Sequence, residues 1–153
     1  MGTTKSGRYL NTHGSRTLAS DYATVHSDEG TFTHRNKQGE IRLKSGGHGQ
    51  AGMDLLDKYG IDYNVVKTYE NGVRIGNVPH HKNKLKQTGV GQTWFPKSWS
   101  AEKIKHAGEF VSKLPSNVNA PNGSVVTGTY DGVRVGVIMT DGKIGTIFPT
   151  VKQ

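Results

Sequence analysis

Apolar residues along this chain come in short runs whose spacing switches between a period of two and a period near 3.6. Thr31-Phe32-Thr33 and Glu40-Ile41-Arg42-Leu43-Lys44 alternate polar and apolar positions like strand edges, with Gln38-Gly39 as the turn between them. Over residues 50–59, Met53, Leu56 and Tyr59 recur at helical spacing and Gly60 follows, which predicts a short helix ended by a C′ glycine. Residues 61–69 and 73–78 read as strands joined at Glu70-Asn71-Gly72, because Asn-Gly tolerates the positive φ of a tight hairpin. Residues 90–95 form another candidate strand. Ser100 is a suitable N-cap, and Ile104, Ala107, Val111 and Leu114 make one apolar stripe before Pro115, which predicts the clearest helix of the chain. The remainder reads as strands at 124–130, 133–140 and 143–148, turning at Asp131-Gly132 and Asp141-Gly142.

Residues 1–30 carry only scattered apolar positions, among them Tyr9, Leu10, Leu18, Tyr22 and Val25, and read as an irregular segment with a short helix around 17–26. Residues 31–153 then form one compact unit of α+β class in which β-hairpins dominate. Thr68-Tyr69-Glu70-Asn71-Gly72-Val73-Arg74 is similar to Thr129-Tyr130-Asp131-Gly132-Val133-Arg134. That similarity marks either two related hairpin lobes or simply two uses of good hairpin chemistry.

Length and composition narrow the function classes. At 153 residues the chain has room for one domain with a usable core. With 32% apolar residues and a mean hydropathy of −0.62, no stretch approaches the roughly 20 apolar residues of a membrane-spanning helix. The start, Met1-Gly2-Thr3-Thr4-Lys5, does not have the form of a signal peptide. Absence of Cys removes disulfides, zinc-thiolate sites and thiol nucleophiles, leaving chemistry to nitrogen and oxygen groups. A net charge of +8 favours a polyanionic partner over a merely solvated basic surface.

Histidine is the conspicuous reactive residue, at positions 13, 26, 34, 48, 80, 81 and 106. A pair of imidazoles can serve as base and acid near neutral pH. His48 is best placed, because Gly46-Gly47 and Gly49 allow a sharp bend and a close backbone approach to substrate. His34, 14 residues upstream across the hairpin-like unit, is the partner expected, with His26 at 22 residues in reserve. His80-His81 suggests a metal site, but Lys82, Lys84 and Lys86 alongside fit a phosphate-facing loop better; Lys84 and Lys86 would share a face if extended. Trp94-Phe95-Pro96-Lys97-Ser98-Trp99, an aromatic cluster with a Lys inside it, reads as core rather than as a base-stacking platform. Thr146 and Phe148 share a face of the last strand, where a hydroxyl and a ring could hold a base.

Gly46-Gly47-His48-Gly49, the run Gly72-Val73-Arg74-Ile75-Gly76-Asn77-Val78, Gly91-Gln92-Thr93-Trp94-Phe95-Pro96 and Thr146-Ile147-Phe148-Pro149 together resemble the bacterial EndoU nucleases over about residues 31–150. That resemblance implies a hairpin-rich EndoU or RNase A-like fold with two small antiparallel sheets and two or three helices. It also implies a two-histidine endoribonuclease, often favouring uridines, that leaves 2′,3′-cyclic phosphate and 5′-hydroxyl ends. His48 matches the His after the glycines, His34 matches the earlier His by spacing, and Thr146 matches the hydroxyl of the C-terminal motif. Phe148 stands where many relatives carry Tyr. Many relatives have a catalytic Lys between the second His and the final motif; Lys86 and Lys97 fall in that interval without matching it, and both are assigned to RNA binding together with Lys82 and Lys84. No cofactor is required, although Mn occurs with some relatives. As a C-terminal toxin module of contact-dependent inhibition, such a domain would be presented by a larger secreted or surface protein. It would be delivered to a target-cell cytoplasm and neutralised in the producer by an acidic immunity protein.

Two other function classes fit the residues. A His-metal DNase centred on His80 and His81 would lose activity in EDTA and cut duplex DNA. A non-catalytic basic RNA-binding module would bind with a steep salt slope and cleave nothing.

Overall fold

The computed structural model describes residues 16–153, so that Tyr9, Leu10 and His13 lie outside the described residues. These form three helices of at least two turns and three small antiparallel sheets. Helix α1 is Asp21–Asp28, and strands β1 (Thr31–Phe32) and β2 (Leu43–Ser45) make a two-stranded ladder after it. Helix α2 is Gln50–Lys58. Strands β3 (Asn64–Thr68), β4 (Arg74–Asn77) and β5 (Gln92–Trp94) form the second sheet in that order. Helix α3 (Ala101–Lys113) precedes β6 (Val125–Tyr130), β7 (Val133–Thr140) and β8 (Lys143–Pro149), which form the third. The α+β, hairpin-rich reading holds. There are three sheets where two were expected, because β1 and β2 pair only with each other.

Helix α3 forms where its sequence says it should. The Ser100 hydroxyl accepts from Lys103 N at 3.1 Å, and Ile104, Ala107 and Val111 are fully buried on its stripe. Each such buried Ile or Val contributes on the order of 2 kcal/mol. The helix packs on β6, β7 and β8, and Gly108 permits the close approach, since a Cβ there would lie 2.3 Å from Ile147 Cδ1. In both β6–β8 turns the Asp and Gly have positive φ, 47° and 76° at Asp131-Gly132, 51° and 76° at Asp141-Gly142. That geometry is the type I′ turn that Asp-Gly favours.

Two apolar clusters result. The larger joins α3 and β6–β8 to Val73, Phe95 and Trp99; the smaller holds Leu43, Met53, Leu56, Ile61, Val78 and Trp94. Trp94 and Phe95 are both fully buried but belong to different clusters, as adjacent residues of an extended chain must when each side of it is covered. The aromatic run is therefore core. The two similar Tyr-containing runs each form a hairpin turn, and the turns meet, Asn71 Nδ2 donating to Gly132 O at 3.1 Å.

Helix α1 starts four residues later than the expected helix because Ser20 caps it, its hydroxyl accepting from Ala23 N at 3.0 Å. It packs on β8 and α3, and Ala19 before it enters the larger cluster. Helix α1 is thus part of the packed body. Among the described residues no helix is long and apolar enough to cross a membrane.

Candidate active site

The C-terminal turn of α1 lies against the glycine loop. Gly47 N donates to His26 O at 3.0 Å, His48 N to Ser27 O at 2.6 Å and Gly49 N to Asp28 O at 3.0 Å. Gly46 and Gly47 have φ of 70° and 74°, and a Cβ on Gly46 would stand 2.1 Å from His26 O. Glycine is needed here for the loop to reach α1, not to leave the imidazole uncrowded. His48 is only 3% exposed.

Ser27 links this junction to the last strand. Fully buried, its Oγ accepts from Ile147 N at 2.9 Å and donates to Ala23 O at 2.7 Å. His26 and Thr146 each precede one partner of that bond, so α1 and β8 hold them at a set spacing.

A pocket of about 240 Å³ opens at this junction, and His26, His48, Lys86, Thr93, Thr146 and Phe148 line it. His48 Nδ1 lies 2.7 Å from Thr93 O, and a carbonyl can only accept, so Nδ1 carries the proton and Nε2 the lone pair. Three buried side-chain nitrogens lack partners among the described residues, on Arg74, His81 and Trp94. His48 Nε2 is not one of them, and His48 lines the pocket. Burial first and the Lys86 charge second hold the His48 imidazole well below its usual 6.5, against the upward pull of the Thr93 carbonyl. The Phe148 ring is tilted at 43° to it with centroids 5.8 Å apart.

His26 Nδ1 lies 2.8 Å from Thr31 Oγ1. A hydroxyl either donates or accepts, so this bond suits the neutral and the charged ring alike. Burial and then Lys86 lower the His26 pKa too. Burial also lowers Lys86, whose Nζ donates to Gln92 Oε1 at 3.4 Å. Gln92 Nε2 in turn donates to Gly46 O and Gly47 O at 3.2 and 3.3 Å, which fixes the ammonium relative to the His48 loop.

The sequence-chosen residues divide. His48, Thr146, Phe148 and Lys86 meet at the pocket, and His26 joins them in place of His34. His34 is exposed and does not line the pocket. In an antiparallel hairpin the ends of the two arms meet at the base. Thr31 pairs with Ser45 there, and beyond that pair the Gly47 N–His26 O and His48 N–Ser27 O bonds bring the segments of His26 and His48 together. His34 lies three residues along the arm, roughly 10 Å toward the tip.

Lys82, Lys84 and Lys97 are exposed and lie outside the pocket. Lys84 and Lys86 do not share a face, because Asn83 caps a 3-10 turn over Lys84–Lys86, accepting from Leu85 N at 3.0 Å, and turns Lys86 inward. His81 is fully buried, its Nδ1 accepting from Asn83 N at 2.8 Å, and burial pushes its pKa down to about 4. His80 is exposed and lines a different hollow beside Arg42. Among the described residues no group of three or more His, Asp or Glu side chains converges.

Sequence reasoning gave no role to Ser27, Gln92 or the Thr93 carbonyl, which act only through tertiary contacts. Comparison with curated proteins and with solved structures gives no match. The family model described as bacterial EndoU nuclease matches residues 25–151, a span that begins one residue before His26 and passes through both imidazoles, Lys86, Thr146 and Phe148. Paired imidazoles beside a lysine, inside a match that covers most of the sequence, place this chain among the bacterial EndoU nucleases.

Proposed function

We propose that this pocket cleaves RNA by transesterification, with His48 as base and His26 as acid. The observation that carries the reading is that both imidazoles line one small pocket together with Lys86, Thr146 and Phe148. His48 Nε2 takes the proton of the substrate's 2′-hydroxyl; O2′ bonds to phosphorus as the P–O5′ bond breaks, and His26 gives its proton to O5′. The products are a 2′,3′-cyclic phosphate and a 5′-hydroxyl. The roles follow from the hydrogen bonds. A deeply buried ring whose Nδ1–H is committed to a carbonyl favours a neutral, accepting Nε2, whereas the Thr31 hydroxyl can accept from a charged His26. Lys86, kept close by Gln92, stabilises the charge that builds on the phosphorane. Thr146 and Phe148 hold the base of the nucleotide supplying the 2′-hydroxyl.

The net charge of +8 suits an RNA substrate and an acidic immunity protein. Delivery as the toxin module of a larger surface protein belongs to the same reading. Incubating the protein with total RNA in excess EDTA, mapping the cuts and identifying the ends tests it. Cyclic phosphate ends in chelator are expected; cleavage that stops in EDTA, or that leaves 5′-phosphates, refutes the mechanism.

A further inference from the structure

A second hollow of about 550 Å³ adjoins the pocket, within the range of small-molecule sites. His26 and Thr146 line both hollows and so form the wall between them. Tyr22, Asp141 and Lys143 also line it. Tyr22 sits one helical turn before His26 on α1, which puts the two on one face. The rings are nearly parallel, at 15° with centroids 6.1 Å apart, yet Tyr22 is 73% exposed. One face of an aromatic ring is thus turned to the His26 imidazole while most of the side chain stands in solvent at the mouth of a cavity.

The direction of the substrate follows from the roles of the two imidazoles. If His26 protonates O5′, the nucleotide bearing that oxygen leaves on the His26 side, away from His48 and Phe148. We infer that the second hollow is the subsite for the nucleotide 3′ of the cleaved bond and that Tyr22 stacks on its base. The inference rests on the proposed RNA cleavage. Apart from the His26 acid, the only charged side chains of the lining, Lys143 and Asp141, cancel in formal charge, and stacking carries the recognition of the base. Stacking of this kind tolerates any base, since every base has a π-face.

A deoxyribose oligonucleotide with a single ribouridine fixes the cut, and the residue after it can be given a base or left abasic. On the base-containing substrate Tyr22→Ala is expected to lower kcat/KM about ten-fold, mostly through KM, while Tyr22→Phe stays near wild type. On the abasic substrate wild type should already show that loss and Tyr22→Ala should add none. Equal losses for Tyr22→Ala on both substrates would mean that the ring merely steadies His26 and would overturn the subsite. Affinity for the matching all-deoxy oligonucleotides separates the two proposals. Binding that prefers the base through Tyr22, with no cleavage of the ribouridine substrate, sustains the subsite and removes the reaction; binding indifferent to base and to Tyr22 removes the subsite.

Discussion

Substituting Gly46 by Ala tests the junction that brings the imidazoles together. The added Cβ would stand 2.1 Å from His26 O where ordinary contact begins at 3.4 Å, so loop or helix must give by more than about 1 Å. The Gly47 N–His26 O bond of 3.0 Å is the first casualty, worth about 1 kcal/mol. The φ of 70° at residue 46 adds roughly 1–2 kcal/mol of left-handed strain once a side chain is present. Together these predict a destabilisation of about 2–3 kcal/mol. A displacement of that size at one of two reacting groups costs on the order of a hundred-fold in rate. Gly39→Ala is the control, because Gly39 has a φ of 81° but nothing within 4 Å of its Cβ; it carries the strain without the collision. Thermal melts and initial rates of RNA cleavage should show both variants folded and destabilised, with only Gly46→Ala strongly impaired. Were Gly46→Ala to cleave within three-fold of Gly39→Ala, the close approach of loop and helix could not be what positions the two rings.

Three further outcomes follow. His26→Ala and His48→Ala should each lower kcat by about 10²–10⁴ and the double variant should be no worse than the worse single, because the two act as a unit; His34→Ala, on the exposed arm, should stay within about two-fold. Because burial and then Lys86 lower both imidazoles, the base stays neutral to more acidic pH and the acid loses its proton sooner. The bell of kcat/KM should therefore peak on the acid side of 6.5, and Lys86→Gln should move both limbs to higher pH, whereas limbs that stay put would disprove the coupling. Burial, with Glu29 and Asp54 behind it, raises the Asp28 carboxyl to about 6, so the folded chain holds this proton more tightly than the unfolded one. Stability from this group is complete below its ordinary 3.8 and falls as pH rises to about 6; Asp28→Asn should abolish that fall and gain on the order of 1–2 kcal/mol at pH 7, measured by denaturation across pH 4–7.

Local patterning by itself determined the elements whose residues interact with near neighbours. Ser100 and the Ile104, Ala107, Val111 stripe specify α3 within one stretch of chain, and Asp131-Gly132 and Asp141-Gly142 specify their turns through backbone φ alone. His48, Thr146 and Phe148 were legible because glycine flanks and a period of two mark them out. The choice of His26 over His34 was not, since it depends on which residues lie at the base of a hairpin and which along its arm. Lys86 likewise looked like one of several surface lysines until the Asn83-capped turn rotated it inward. The roles of Ser27, Gln92 and the Thr93 carbonyl were not legible, because each acts through hydrogen bonds to residues 45 or more positions away. A sequence pattern reports what a residue does to its neighbours along the chain; the proton states and spacing of two imidazoles are set by burial and contacts that exist only once distant segments have packed.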